Sequence, residues 1–404
     1  MIKLYFKQAL AQLRQQPIIS LVSILGTALA IFLIMLVVMI QQVKVAPFSP
    51  ESNRDRFLHV RFMSITNKEW GGGSSNGPMS VQTAKACFKS LTTPEAVTIY
   101  CVAAITTPAS MPGTPAISID MQQTDDTYWQ VFDFAFVDGK PYDQAAFESG
   151  RPVAVVTESV ARNLFGTTKA AGREFLLNHA PYTVAGVVKD VSALADAAYA
   201  QVWIPYTSTD LAQDTWSDNH MGMMSATILA RDRDDFDAIR EECEKVRLQY
   251  NNLLAENGYE LIYRNRPYDQ EKQAIAYAAN WEPDLSAARR QRVIIFIILL
   301  LVPAINLSSM TQSRLRQRVS EIGVRRAFGS TRTEMIGQIV MENLVVTLLA
   351  GAVGLLFSIL FAYLGNGLLF AQAYSITLNP PEVNASILLQ PSTFMYALLF
   401  CFVL

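Results

Sequence analysis

Side chains able to do covalent or metal chemistry are few and scattered in this 404-residue chain. Its three histidines, His59, His179 and His220, lie far apart, with no HExxH phrase and no cysteine at metal-ligand spacing. Cys87, Cys101, Cys243 and Cys401 are too few and too irregular for a disulfide scaffold or a zinc site. A Cys87–Cys101 pairing stays open if their region is exported, because the loop between them is short. Asp232, Asp234, Asp235 and Asp237 lack the glycine and terminal glutamate of a calcium loop, and they suit a solvated helix start. Gly71 to Gly77 (GGGSSNG) has no Lys-Ser/Thr after its glycines and is expected to be a flexible loop, not a phosphate cradle. Neither a Walker A phrase nor a strand-elbow serine occurs. No catalytic residue, metal ligand or bound cofactor is expected.

The charged stretch that stands out is Ser313 to Ser330, SRLRQRVSEIGVRRAFGS, set between two long apolar runs. Arg314, Arg316, Arg318, Arg325 and Arg326 crowd into it, with Arg332 just beyond. In a helical reading Leu315, Val319 and Ile322 share one face, and Arg318, Glu321 and Arg325 a neighbouring one. Glu321 preceding Arg325 by four residues is the better orientation for an ion pair, worth a few tenths of a kcal/mol. Charge alone fits two roles equally: a basic loop that sets topology, or a helix lying on the inner face of a bilayer.

The elements around it are those of a membrane protein with a large polar domain. The chain is 51% hydrophobic, with mean hydropathy +0.21. That is too apolar for an average soluble protein, yet not apolar enough for membrane spans alone. A net charge of −2 gives no case for nucleic acid. Residues 1–17 are amphipathic and basic, and are expected on the cytoplasmic face. Residues 18–40 carry no charge and are long enough to cross about 30 Å of hydrocarbon. The run is too long for a signal peptide's apolar region, so it is expected to remain as a first span with the N-terminus inside. A second span is placed at 289–310, interrupted by Pro303 and Asn306, and a third at 335–367. Arg289, Arg290 and Arg292 fall on the expected outer side of the second span. The six arginines after the span outweigh them. Glu342 is expected at the cytoplasmic interface, and Gly26/Ala30 and Ala350/Gly354 offer close-packing pairs. Residues 368–392 form an external loop, and 393–404 begin a fourth apolar run too short to cross.

Residues 41–288 hold no further spanning run and are large enough for real cores. Strands are expected at Arg56–Met63, Val97–Ile105, Pro152–Val156, Gly172–Leu177, Pro181–Val188, Gln201–Tyr206, Met224–Ala230 and Tyr259–Tyr263. Helices are expected at Val81–Leu91, at Glu158–Phe165 closed by Gly166, and at Arg233–Leu254. The last of these presents Phe236, Ile239, Cys243, Val246, Tyr250 and Leu253 as a core-facing stripe.

The string Glu321-Ile322-Gly323-Val324-Arg325-Arg326-Ala327-Phe328-Gly329-Ser330 resembles the EIG-x-R-x-A-x-G-A signature of ABC-transporter permeases of the macrolide-exporter and cell-division (MacB/FtsX) type. Three phrases, VFDFAFVDGK, VAVVTESVARNLFG and YTVAGVVKD, resemble in content and order the extracytoplasmic core domain of that family. The resemblance implies an α-helical transmembrane bundle of three full spans plus an incomplete fourth. It also implies a large α+β extracytoplasmic domain of two interleaved subdomains, the inserted, mostly β one at 126–223. Residues 289–404 would form the FtsX-like permease domain, with 311–334 as its cytoplasmic coupling element. By the same resemblance Glu321, Gly323, Arg325, Arg326, Ala327 and Gly329 face a separate ABC ATPase subunit, which binds ATP and Mg. The remaining implied partners are a second permease copy, membrane lipid, and a periplasmic adaptor with an outer-membrane channel, all at the bacterial inner membrane. The expected function is ATP-driven movement of the external domain for export of a drug, peptide or lipoprotein-type cargo. The alternative is a membrane-anchored extracytoplasmic sensor or regulator without transport.

Overall fold

A computed structural model describes residues 17–365, 369 and 390–404. The amphipathic N-terminus and most of the 368–392 loop lie outside the described residues. The chain divides into two compact units, one built from long apolar helices and one spanning Lys44–Leu285.

In the helical unit, α1 runs Pro17–Val45, α2 Leu285–Gln317, α3 Val319–Ala327, α4 Arg332–Leu364 and α5 Pro391–Val403. Among the described residues α1, α2 and α4 are long and apolar enough to cross a membrane. At 33 residues each, α2 and α4 reach about 50 Å, well beyond the roughly 30 Å of hydrocarbon, so their ends project from it. Pro303 sits inside α2 without ending it. Ala28, Ile31, Ile34, Met35 and Val38 of α1 bury against Ala350 of α4 and Ala397, Phe400 and Cys401 of α5. Gly354 makes this approach possible, since a Cβ there would stand 2.6 Å from the Ala28 carbonyl oxygen. A Cβ on Gly26 would stand 3.0 Å from Asn306 Nδ2, so small residues set the α1–α2 contact too. Leu21, Leu25 and Leu29 of α1 and Ile294, Ile298 and Leu301 of α2 remain exposed.

The Lys44–Leu285 unit mixes strands and helices. Its first strands are β1 (Phe57–Val60), β2 (Met63–Asn67), β3 (Ser74–Gly77), β4 (Ala96–Cys101) and β5 (Ile105–Ser110). Next come β6 (Ile117–Thr124), β7 (Phe136–Gly139), β8 (Val153–Thr157), β9 (Glu174–Leu177) and β10 (Ala180–Val188). The last are β11 (Val202–Pro205), β12 (Met224–Leu229), β13 (Tyr259–Ile262) and β14 (Tyr268–Asp269). The main sheet runs β11-β8-β10-β9-β5-β6-β4-β12-β1-β14, and β11 also pairs with β6. That extra pairing closes β6, β11, β8, β10, β9 and β5 into a barrel, which leaves those strands without free edges. Ile119, Val156, Phe175, Val184, Val187 and Ile204 fill it. The antiparallel remainder, β4-β12-β1-β14, packs with the Phe236–Leu254 helix and the β13-β2-β3 sheet around Leu58, Ile65, Ile99, Ile228, Ile239 and Leu261.

Local chemistry explains the helix limits. Thr157 caps Glu158–Phe165 by accepting from the Val160 amide, and Gly166 ends it at φ 71°. Asp232 and Asp235 form a reciprocal capping box at the start of the Arg233–Leu254 segment, so the aspartate cluster is a helix start.

Several expectations need correction. The Arg56–Met63 segment is two strands broken after Val60, because β1 joins the main sheet and β2 the small one. The GGGSSNG segment is half strand: Ser74–Gly77 pairs with β2, with Gly71 and Gly72 turning at positive φ before it. The core stripe of the Phe236–Leu254 helix ends on Leu254, 4% exposed, whereas Leu253 is 69% exposed. An ideal helix drifts past a strict 3.5-residue stripe, and here the drift shifts burial by one residue. The Cys87–Cys101 pairing that the sequence leaves open is not formed, and both are buried free thiols.

The three phrases VFDFAFVDGK, VAVVTESVARNLFG and YTVAGVVKD meet at β10, where β7 pairs along one edge and β8 along the other. Gly139 opposes Gly186 there. A Cβ on Gly139 would sit 2.9 Å from the Gly186 Cα, and Gly139 has φ +64°, so both demands select glycine.

Candidate coupling site on the helical unit

The Ser313–Ser330 segment is not one helix. α2 ends at Gln317, the backbone turns at Arg318 (φ −109°, ψ 13°), and α3 begins at Val319. At its other end Gly329 adopts φ +93°. The Ser330 amide donates to the Arg325 carbonyl and the Gly329 amide to that of Arg326, both at 3.1 Å. This paired closure of a helix end needs a left-handed residue, which is the role of Gly329. Two residues later Thr331 and Glu334 form a reciprocal capping box that starts α4. The turn after α3 therefore arises locally, and α3 stands as a separate nine-residue helix between two membrane-length ones.

One face of α3 joins a closed polar ring. Arg318 Nε lies 3.6 Å from Glu321, and Arg325 Nη2 donates to Glu321 at 2.6 Å. Arg325 Nη1 donates to Gln338 Oε1 at 2.8 Å, and Gln338 Nε2 to Glu342 Oε1 at 3.0 Å. Arg318 Nη1 closes the ring on the same Glu342 oxygen at 3.4 Å. The Glu342 side chain is 11% exposed against 45% for Glu321, so the shielded half of the ring lies on α4. An exposed i,i+4 pair such as Glu321–Arg325 contributes only a few tenths of a kcal/mol, while a shielded carboxylate is costly to leave unpaired. Arg314, Thr311 and Asn343 line the same cleft, and Thr311 donates to Asn343 at 3.1 Å.

The rest of α3 is open. Gly323, Arg326 and Ala327 are exposed, as are Val319 (65%), Val324 (57%) and Phe328 (87%). A Cβ on Gly323 would meet nothing within 4 Å. Of the six residues singled out in the sequence, Glu321 and Arg325 are thus brought together in the ring, Gly323, Arg326 and Ala327 face away, and Gly329 closes the helix end. Gln338 was not legible, because its part depends on a neighbour 13 residues earlier. Glu342 had one signal, an acid in a segment otherwise free of charge from Asn343 onward.

A second polar cluster lies in the Lys44–Leu285 unit. His59 Nε2 is 2.7 Å from Gln270 Oε1, whose amide nitrogen donates to the Lys44 carbonyl at 2.8 Å. Those contacts make Nε2 the protonated nitrogen, and Nδ1 faces Thr227 Oγ1 at 3.3 Å. Burial lowers the His59 pKa, with smaller opposing influences from Glu51 and Gln270. Among the described residues no group of three or more His, Cys, Asp or Glu is placed to hold a metal ion.

Apolar helices of membrane length beside a mixed α+β domain are the architecture of a membrane protein with a large polar domain. Residues 20–246 match the MacB-like periplasmic core domain, and residues 293–404 match the FtsX-like permease C-terminal domain. The chain belongs to the MacB/FtsX family of ABC transporter permeases. It is 26% identical over 237 residues to the macrolide export ATP-binding/permease protein MacB of Burkholderia cenocepacia (strain HI2424), covering 58% of this chain and 32% of that protein. It is 22% identical over 237 residues to the ABC transporter permease YknZ of Bacillus subtilis (strain 168), covering 57% and 54% respectively. The chain therefore spans about a third of the length of such MacB relatives. Among solved structures, a domain of a permease protein from Porphyromonas gingivalis aligns with TM-score 0.41 and 16% identity, over 59% of this chain and 97% of that one. The periplasmic region of MacB from Actinobacillus actinomycetemcomitans aligns with TM-score 0.35 and 16% identity, over 50% and 88%.

Proposed function

We propose that this chain is the membrane permease subunit of an ABC transporter, driven by a separate ATPase subunit that binds ATP and Mg. The observation that carries the reading is α3, a short helix bearing the EIGVRRAFG phrase, held between two membrane-length helices with Gly323, Ala327 and Phe328 exposed. In this reading Glu321, Gly323, Arg325, Arg326, Ala327 and Gly329 form the coupling element on the cytoplasmic side. The arginines around them favour that side for α3, and so place the N-terminus inside and the Lys44–Leu285 unit outside a bacterial inner membrane. The barrel and the open sheet then act as two interleaved subdomains of an extracytoplasmic domain.

Hydrolysis in the partner would move the helices and, through them, the external domain, a mechanical transmission. The cargo class is an exported drug, peptide or lipoprotein-type molecule, met in the periplasm or the membrane. The broad apolar faces of α1 and α2 suit lipid and a second permease copy, and an adaptor with an outer-membrane channel would complete an export path.

The test is affinity purification of the detergent-solubilised protein with identification of co-purifying chains and assay of ATP hydrolysis. A Walker-type ATPase that comes down with the wild type, and whose stimulation is lost in Glu321→Lys while the protein remains inserted, supports the reading. A clean preparation of this chain alone, without hydrolysis, overturns it in favour of a membrane-anchored sensor or regulator.

A further inference from the structure

We infer that the ring Arg318–Glu321–Arg325–Gln338–Glu342 is a latch that makes α3 move with α4, so that Glu342 and Gln338 are positioning residues for coupling. This rests on the permease reading above and goes beyond it by naming the helix that receives the push.

The geometry separates the two neighbours of α3. Its link to α2 is the turn at Arg318, whose backbone leaves the helical conformation and whose amide donates to the Leu315 carbonyl at 3.1 Å. Its link to α4 is side-chain pairing at both ends. Arg318, at the start of α3, reaches Glu342 at 3.4 Å, and Arg325, near its end, reaches Gln338 at 2.8 Å. Glu342 and Gln338 lie four residues apart on one face of α4 and are themselves bonded at 3.0 Å, so α4 presents a fixed two-point bracket. Two anchors resist rotation as well as displacement, which one anchor does not. The Glu342 carboxylate is mostly shielded from solvent, so breaking its pairs leaves an uncompensated charge and the latched state is strongly preferred. α3 uses this polar face inward, and its open face of Gly323, Val324, Ala327 and Phe328 stays available to a partner. Docking and transmission thereby fall to opposite faces of one nine-residue helix.

The experiment uses the full chain with its co-purified ATPase and three variants. Glu342→Gln removes the charge at constant shape, Gln338→Leu breaks the bracket without touching a charge, and Arg318→Lys keeps the ion pair. Amide exchange of Val319–Ala327 is expected to rise roughly tenfold or more in the first two, with the α4 amides unchanged. ATPase co-purification should stay at the wild-type level while stimulation of hydrolysis falls roughly tenfold. Arg318→Lys should retain most of the stimulation. The latch is overturned if exchange across α3 is unchanged in Glu342→Gln, a readout that needs no ATPase. It is also overturned if stimulation survives in both latch-breaking variants, or if ATPase binding is lost with it. A wild type that brings down no ATPase counts against the permease reading, and the exchange result still decides whether the latch exists.

Discussion

Glu51 and Arg54 form an ion pair at 2.6 Å with both side chains at most 2% exposed. Glu51 Oε1 also accepts the amides of Ala197 and Ala198 at 2.9 Å each, and Arg54 Nη2 donates to the Leu194 carbonyl at 2.8 Å. The pair is a satisfied core network that ties the 194–198 segment to the first residues of the unit. Removing one partner strands a buried charge, so Arg54→Met is expected to cost about 3–5 kcal/mol, whereas replacing both partners by apolar residues should cost much less. Denaturant unfolding of single and double variants checks this. A single variant within about 1 kcal/mol of wild type would show that water reaches the site.

Gly329 predicts a conformational cost. At φ +93° an added Cβ meets no neighbouring atom but is strained by its own backbone, so Gly329→Ala should destabilise the α3 end by about 1–2 kcal/mol. Amide exchange at Gly329 and Ser330 positions is the measurement, since those amides make the closing bonds. Unchanged protection would mean that the turn adopts another closure.

Gly323 predicts the opposite for stability. It sits inside α3 with open space where a Cβ would go, so Gly323→Ala should strengthen the helix by about 0.5–1 kcal/mol. The same methyl group would stand on the face proposed to meet the ATPase, and co-purification should fall. A variant that is more stable and binds the ATPase as well as wild type would move the docking surface elsewhere.

His59 gives a pH dependence. Its folded-state pKa lies below its usual value, and burial lowers the His220 pKa as well. The unfolded chain then binds more protons as pH drops below the ordinary histidine value of about 6.5. The histidine contribution is fully present above that value and is lost as pH falls toward the lowered folded values. The melting temperature should therefore decline between roughly pH 6.5 and 5, and His59→Gln should flatten that decline. A slope unaffected by the substitution would assign the effect to other groups.

How far these features could be seen in advance depends on how local they are. The chain alone determined the membrane-length runs, because a spanning helix needs only an unbroken apolar stretch that satisfies its own backbone. It determined the ends of several helices for the same reason: Thr157, Gly166 and Asp232 act on amides and carbonyls within a few residues of themselves. The EIGVRRAFGS string and the three core-domain phrases pointed to a family that the domain matches establish. Tertiary structure alone decided which strands close the barrel, since the β11–β6 pairing joins residues about eighty apart and no local pattern specifies it. It decided why Gly139 must face Gly186, and why Leu254 and not Leu253 is buried. It decided, too, that Glu321 and Arg325 turn toward Gln338 and Glu342, because a side chain's partner depends on which helix the turns at Arg318 and Gly329 bring beside it.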